Sequence, residues 1–117
     1  MSAASDLRAL LIATPAVTAL VGSRIAADRI EQGSARPFIV FTRTATERSK
    51  GLDGTVHGVQ VTFDVQCWAD TRAAAEAVGN AAQDAIEQAF QTIASRSSGY
   101  DADLDLEADL LTVLWWE

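Results

Sequence analysis

Residues 59–68 alternate between apolar and mostly polar side chains, and this alternation constrains the fold more than any other feature of the chain. The apolar positions are Val59, Val61, Phe63, Val65 and Cys67, and the positions between them are Gln60, Thr62, Asp64, Gln66 and Trp68. Successive side chains of a β-strand point to opposite faces, so the pattern predicts a strand with one buried and one accessible face. Trp68 falls on the accessible face, where it is a candidate contact residue.

A second strand and a polar segment precede this one. Residues Phe38 to Phe41, followed by Thr42 to Thr44, are rich in aromatic and β-branched side chains, which predicts an inner strand. From Ala45 to Gly58 the sequence is polar and interrupted by glycine, and it is too long for a tight hairpin turn. We therefore expect a projecting, mobile arm. Its charged or titratable side chains are Glu47, Arg48, Lys50, Asp53 and His57.

Apolar residues at helical spacing predict helices on both sides of these strands. Ser5 is a candidate N-cap for a first helix, and Thr14 followed by Pro15 signals a second, short helix that stops at Gly22. Asp70 or Thr71 is placed to cap a long helix. Its apolar stripe is rich in alanine: Ala74, Val78, Ala81, Ala82, Ala85, Ile86, Ala89 and Ile93. Small side chains predict close packing of this helix on the sheet.

The remaining segments carry weaker signals. Residues Arg24 to Ile30 favour a short strand, Glu31 to Pro37 a loop, and Ser95 to Gly99 a turn. The acidic segment Asp101 to Asp109 fits either one long half-exposed strand or a solvated connection. We favour a connection that leads into a final strand beginning near Glu107.

The order of these elements predicts an α+β fold in a single domain, residues 1–117. Adjacent strands are joined by short links, and helices stand at the ends of the run, which is typical of an antiparallel sheet covered on one face. We expect four strands, or five if the part of the chain after the long helix forms two strands and not one, and two covering helices.

Composition and charge exclude several classes of protein. The chain is 49% hydrophobic and 21% charged, with no apolar run near the roughly 18 residues of a membrane span. The sequence from Met1 to Asp6 lacks the features of a secretory signal, and the single cysteine has no internal disulfide partner, so we expect synthesis in the cytoplasm. A net charge of -7 disfavours nonspecific binding to nucleic acid.

The sequence predicts no catalytic, cofactor or metal site. His57 is the only histidine and Cys67 the only cysteine, so a zinc site with four nitrogen or sulfur ligands cannot be assembled. Asp101, Asp103 and Asp105 have the spacing of a calcium loop, but Leu106 stands where that loop needs glycine. Gly51 to Gly54 lacks the phosphate-loop pattern. A hydrolase with paired carboxylates stays open, because carboxylate separation depends on the fold.

The chain ends in Trp115, Trp116 and Glu117. Adjacent strand residues face opposite sides of a sheet, so the two indoles cannot enter the same core. The outward one either lies under a loop of its own subunit or serves as an interface anchor, a role that tryptophan favours.

Several segments together carry a family resemblance. They are Leu20-Val-Gly-Ser-Arg-Ile25, a loop ending in Arg36-Pro-Phe-Ile-Val-Phe41, Gly51-Leu-Asp-Gly54, and Val59-Gln-Val-Thr-Phe-Asp-Val-Gln-Cys-Trp-Ala69 before an alanine-rich helix. In this order they resemble the tail-completion or tail-terminator proteins of long-tailed bacteriophages and related gene transfer agents.

The resemblance implies a non-enzymatic protein of the virion tail, assembled in the host cytoplasm without a cofactor. Such subunits form a ring, usually a hexamer, on the last ring of the tail tube, stop tube polymerisation and present a docking surface to the head connector. DNA would pass only as cargo, and no membrane is involved. We expect the interface residues to be Glu47, Arg48, Lys50, Asp53, His57, Trp68 and Trp116. The acidic segment Asp101 to Asp109 departs from many relatives.

Two alternatives remain open at this point. One is a head-tail connector, or neck protein, of the same virion. The other is a small cytoplasmic α+β enzyme or ligand-binding protein, whose pocket would lie between a helix and the sheet.

Overall fold

A computed structural model describes residues 2–30, 35–50 and 56–117, and these residues form an α+β fold. The described part of the chain contains three helices and five strands. In chain order they are α1 (Ala3–Ala13), α2 (Pro15–Val21), β1 (Ile25–Ala27), β2 (Phe38–Lys50), β3 (Val56–Ala69), α3 (Arg72–Gln88), β4 (Thr92–Asp101) and β5 (Leu106–Trp116). The predicted fold class is confirmed, with the larger of the two expected strand counts.

The five strands form one sheet in the order β1-β2-β3-β5-β4. The pairs β2–β3, β3–β5 and β5–β4 are antiparallel, as expected, whereas β1 lies parallel to β2. Three of the four pairings thus follow the predicted antiparallel pattern. Strands β1 and β4 occupy the two edges of the sheet, and β3 lies at its centre.

Local capping interactions explain where the helices begin and end. Ser2, and not the predicted Ser5, caps α1, because the Ser2 hydroxyl accepts a hydrogen bond from the Ser5 amide at 3.1 Å. Thr14 and Pro15 start α2 as predicted, and Gly22 ends it with a φ of 60°. Thr71 caps α3 by accepting a hydrogen bond from the Ala74 amide at 3.2 Å. The predicted start of the long helix is confirmed. Its predicted extent is wrong at the other end, because the helix stops at Gln88 and Ile93 lies in β4.

The three helices pack on one face of the sheet, and the core lies between them. Leu7 and Leu11 of α1, Val17 and Val21 of α2, and Val78, Ala82 and Ile86 of α3 contribute to it. The strands contribute alternate residues: Ile39, Phe41, Val61, Phe63, Val65, Cys67, Leu111, Val113 and Trp115. The alternation in β3 is therefore confirmed. At the centre, the rings of Phe41 and Phe63 meet edge to face with centroids 6.1 Å apart.

The prediction of an irregular arm from Ala45 to Gly58 is wrong. Strand β2 continues to Lys50 and β3 begins at Val56, so the segment is largely a β-hairpin. Glu47 pairs with Gln60 and Arg48 with Val59, and the register shifts between Arg43 and Ala45. A paired ladder satisfies the backbone of polar residues as well as that of apolar ones, which composition alone cannot reveal. The expected mobility of residues 51–55, including Asp53, lies outside the described residues.

The prediction of a turn at Ser95 to Gly99 is also wrong, because these residues lie inside β4. They form a regular strand because they pair with β5, with Ser97 opposite Leu110, and the serine-rich sequence gives no local sign of this pairing. Strand β5 begins at Leu106, close to the predicted Glu107. The acidic connection is confirmed as a short turn of residues 102–105.

Among the described helices, none alone is long and apolar enough to cross a membrane. Helices α1 and α2 together reach the required length and composition, but they are bent by 84° at the break between them.

Candidate functional site

The face of the sheet opposite the helices is a candidate assembly surface, and we call it the open face. Successive strands align their side chains on it in rows, such as Val40, Gln66, Leu110 and Ser97. Near one end, Phe38, Val40 and Leu106 are buried in a small apolar cluster, against which Ile30 and Trp68 pack. The open face therefore mixes apolar and polar side chains, as protein interfaces do.

Trp68 lies on the open face, as its position in the alternation predicts. Its indole is half-buried in the small apolar cluster, and its Nε1 donates a hydrogen bond to Gln66 Oε1 at 3.1 Å. The side chain is thus partly engaged within its own chain and presents only its remaining surface to a partner.

The two terminal tryptophans face opposite sides, as expected of adjacent strand residues. Trp115 is 7% exposed and belongs to the core, whereas Trp116 is 49% exposed. Two hydrogen bonds to the Gln91 side chain hold the backbone of Trp116. The backbone amide of Trp116 donates to Gln91 Oε1 at 2.7 Å, and Gln91 Nε2 donates to the backbone carbonyl of Trp116 at 3.2 Å. Trp116 therefore offers an exposed indole on a well-held backbone, which favours the interface interpretation.

The hairpin brings two of the predicted interface residues into one row. Glu47 pairs with Gln60, and Gln60 pairs with Trp116, so these three lie side by side on the open face. Arg48 is exposed on the helix-covered side, where it lines a groove. The predicted residues thus do not form one patch, because Trp68 lies eight positions from Gln60 along β3, about 26 Å away. The side chains of Lys50, Asp53 and His57 lie outside the described residues.

The groove at the base of the hairpin has a volume of about 480 Å³. Phe41, Val61 and Phe63 contribute to its apolar lining, and the first residues of α1 form one wall. Arg43 and Arg48 line it together with the acids Asp28 and Glu117. Arg43 was not predicted as a site residue, and no local sequence signal marks it, because elements distant in sequence form the groove.

A second charged cluster joins α3 to β4 and β5. Asp109 is 3% exposed, and Arg96 Nε donates to its two carboxylate oxygens at 3.0 and 2.9 Å. Arg96 Nη2 also contacts Asp109, while Nη1 donates to Asn80 Oδ1 at 2.8 Å and to Gln83 Oε1 at 3.0 Å. The hydrogen bonds that the Arg96 guanidinium donates to Asp109 raise the pKa of Arg96 above its ordinary value.

Gly79 makes room for this buried pair. A Cβ atom at Gly79 would overlap Asp109 Oδ2 and crowd Arg96 Nη2 at 2.9 Å. Asp109 was expected in a half-exposed strand or a solvated connection, and the structure corrects this, because its carboxylate is buried. Arg96 binds both oxygens of Asp109 and also the side chains of Asn80 and Gln83, so the cluster links α3, β4 and β5.

The titratable groups of the described residues do not assemble into a reactive centre. Burial, followed by the nearby charge of Asp109, raises the pKa of the Cys67 thiol to about 12, so the nucleophilic thiolate is absent at neutral pH. Asp101 Oδ1 accepts hydrogen bonds from the Asp103 and Leu104 amides at 2.9 and 3.3 Å and so closes its own turn. Within residues 2–30, 35–50 and 56–117, no three His, Cys, Asp or Glu side chains are placed to hold a metal ion.

Comparisons with known proteins identify the family of this chain. A search of curated proteins found no match. A chain in a solved structure described as "Virion of native gene transfer agent (GTA) particle" has the same fold, with a TM-score of 0.72, 19% identity and coverage of 92% of this chain and 88% of that one. The model of the family "Tail completion protein gp17" matches residues 5–116. The chain therefore belongs to the tail completion protein gp17 family and is a structural protein of the virion tail.

Proposed function

We propose that copies of this chain form a ring, a hexamer by analogy with the proteins it resembles, that caps the end of the tail tube. The ring stops tube polymerisation and provides the surface to which the head connector binds. The family match over residues 5–116 carries this proposal. The likeness to a chain of an assembled gene transfer agent particle supports it.

The shape of the molecule supports a role in assembly. The chain is elongated, with extents of 52 × 28 × 23 Å. In the hairpin, residues 43–48 are exposed on both faces of the ribbon. A two-stranded ribbon buries little apolar surface by itself, so contact with a neighbouring subunit or with the tube would stabilise it. The hairpin is therefore the element that we expect to reach a second protein.

The remaining partners follow from the same role. The tube protein would bind one side of the ring and the connector protein the other, while DNA would pass through the channel as cargo. The net charge of -7 suits this passage, because like charges repel and the DNA would not adhere to the ring.

Deletion of Ser49 to Thr55 tests the part played by the hairpin. The deletion leaves residues 56–58 to connect Arg48 and Val59, which are already paired, and three-residue loops commonly close β-hairpins. The fold should therefore survive. We expect the shortened protein to lose ring formation and to leave tube growth unchecked, as measured from tube lengths in electron micrographs.

A matched control distinguishes the effect of the length of the hairpin from the effect of its side chains. Replacement of Ser49 to Thr55 by glycine and serine of equal length retains the span but removes the side chains. Loss of capping in both variants would assign the contact to these side chains, whereas loss in the deletion alone would assign it to the length of the hairpin. Normal capping by the deleted protein would contradict the role of the hairpin.

A neck connector of the same virion is the nearest alternative to a tube cap. It would bind the head portal and ignore isolated tubes, so binding to purified tubes distinguishes the two. An enzyme or ligand-binding protein would need a pocket between helix and sheet, and the groove beside α1 is the described cavity in that position. A ligand-dependent thermal shift would be the signature of such a protein.

A further inference from the structure

Charge is divided unevenly between the two halves of the chain. Residues 1–50 contain seven Lys or Arg and four Asp or Glu, whereas residues 51–117 contain two Lys or Arg and twelve Asp or Glu. The sheet order β1-β2-β3-β5-β4 converts this division into a spatial one. Strands β1 and β2 lie on the basic side of the molecule, and β5 and β4 lie on the acidic side.

The basic side carries five arginines, which we call the basic edge: Arg8, Arg24, Arg29, Arg43 and Arg48. Arg8 Nε donates to the Ile25 carbonyl and Arg24 Nε to the Pro37 carbonyl, each at 3.0 Å. These bonds fix the side chains without neutralising them. Ion pairs between described residues include none of the five arginines. The acids on this side, Asp6, Asp28, Glu47 and Glu117, are fewer than the arginines.

The acidic side carries five carboxylates, which we call the acidic edge: Glu76, Glu87, Asp101, Asp103 and Asp105. Glu76 and Glu87 belong to one stripe of α3, whose members Asn80 and Gln83 bind Arg96 of β4. The three aspartates lie at the turn between β4 and β5. The cations on this side are already paired, Arg72 with Glu107 at 2.7 Å and Arg96 with Asp109. The acidic edge therefore keeps its negative charge.

The backbone at both edges is available for a partner. Strand β4 is the outermost strand of the described sheet, and β1 pairs with β2 only from Ile39 to Phe41. The rest of β2, from Arg43 to Lys50, thus has an outer side with no described strand beside it. Strands β2 and β4 run in opposite directions. Two copies placed side by side in the same orientation would set β4 of one antiparallel to β2 of the next, the arrangement of strand addition.

We propose that the acidic edge of one copy binds the basic edge of the next copy, head to tail, with β4 of the first beside residues 43–50 of β2 in the second. This inference rests on the proposed ring and names the contact that builds it. A two-fold contact between like edges would oppose like charges, whereas a head-to-tail contact opposes unlike ones. A head-to-tail contact closes into a ring when its rotation allows.

Charge reversal tests the pairing. The first variant, Arg43→Glu with Arg48→Glu, makes both edges acidic, and the second, Glu76→Lys with Glu87→Lys and Asp103→Lys, makes both basic. None of these five side chains makes a described hydrogen bond or ion pair, so each variant should retain the wild-type melting temperature to within a few degrees. We expect each variant alone to need at least about tenfold more protein to assemble, because like charges now face each other.

The two variants mixed together give the decisive result. In an alternating assembly every joint again has one acidic and one basic side, so the equimolar mixture should assemble like the wild type by light scattering. Asp64→Lys, on the open face at the centre of the sheet, is the control for net charge alone and should assemble normally. Raising the salt from about 0.1 M to 1 M should weaken wild-type assembly, because the screening length falls from about 10 Å to about 3 Å.

The outcomes separate this inference from the proposed function. Wild-type assembly together with normal assembly of either reversed variant alone would overturn the edge pairing and leave the ring intact. A mixture that fails to recover would also overturn it. A wild-type chain that stays monomeric alone and on tube ends would overturn the proposed ring, and the edge pairing with it.

Discussion

The two faces of the sheet differ in how deeply their side chains are buried and in what those side chains contact. On the helix-covered face, Trp115 is packed into the core, and the buried carboxylate of Asp109 forms an ion pair with Arg96. On the open face, Trp116 is half exposed beside polar neighbours such as Gln60. The comparison indicates that the helix-covered face contains the larger buried core, while Trp116 on the open face keeps about half of its surface in contact with solvent.

The two adjacent tryptophans give the largest expected contrast between the faces. Trp115→Ala should lower the free energy of unfolding by about 4 kcal/mol, because it removes a buried indole and leaves a cavity. Trp116→Ala should lower it by less than about 1 kcal/mol, since half of that side chain is already in water. Denaturation with urea measures both, and equal losses would show that the two faces do not differ in this way.

The buried ion pair gives the next largest effect. Asp109→Ala should cost about 3 kcal/mol, because Arg96 loses the carboxylate that compensates its partly buried charge. The matched control is Asp70→Ala, which breaks the pair with Arg36 in which the two side chains are 66% and 39% exposed. That control should cost less than about 1 kcal/mol. If the two substitutions lowered the free energy of unfolding by equally small amounts, the buried ion pair would contribute no more to stability than the exposed one.

The space beside Asp109 can be tested by adding a single methyl group. Gly79→Ala should destabilise the fold by about 2 kcal/mol, because the new Cβ overlaps the Asp109 carboxylate, despite the better helix propensity of alanine. Gly58→Ala is the control, since nothing lies within 4 Å of its added Cβ. Thermal unfolding should leave Gly58→Ala near the wild type. A Gly79→Ala variant that is more stable than the wild type would show that the contact of α3 with β5 is loose.

Alkaline pH gives the smallest effect, again on the helix-covered face. The folded state raises the pKa of Cys67 from 9.0 to about 12, so above pH 9 the unfolded chain releases a proton that the folded chain keeps. This contribution to stability is complete below pH 9 and is lost as the pH rises towards 12. The wild type should lose about 1.4 kcal/mol more than Cys67→Ala between pH 8 and pH 10. Parallel pH profiles of the two proteins would contradict the buried thiol.

The regular elements with a strong period could be predicted from sequence. The alternation from Val59 to Trp68 gave the central strand, and the alanine-rich stripe after Thr71 gave α3. The hairpin and β4 could not, because their polar residues are held by pairing with strands distant in sequence. Ser95 to Gly99, for example, are regular only because β5 lies beside them.

In the candidate site, too, features set by local sequence could be predicted, and features set by distant elements could not. The opposite orientation of the two terminal tryptophans follows from adjacency in a strand, and it was predicted. The row of Glu47, Gln60 and Trp116 needs the register of three strands, which no local pattern contains. Asp109 was misplaced because its partner Arg96 and the space at Gly79 come from other elements. Arg43 was missed because a strand pattern says nothing of the groove beside it.

The central claim is that this chain assembles at the end of the tail tube. The most direct measurement is the mass of the purified protein by light scattering, alone and after mixing with assembled tubes, followed by electron microscopy of the tube ends. The account predicts rings, or added density confined to one end of each tube. A protein that remains monomeric and leaves both tube ends bare would contradict it.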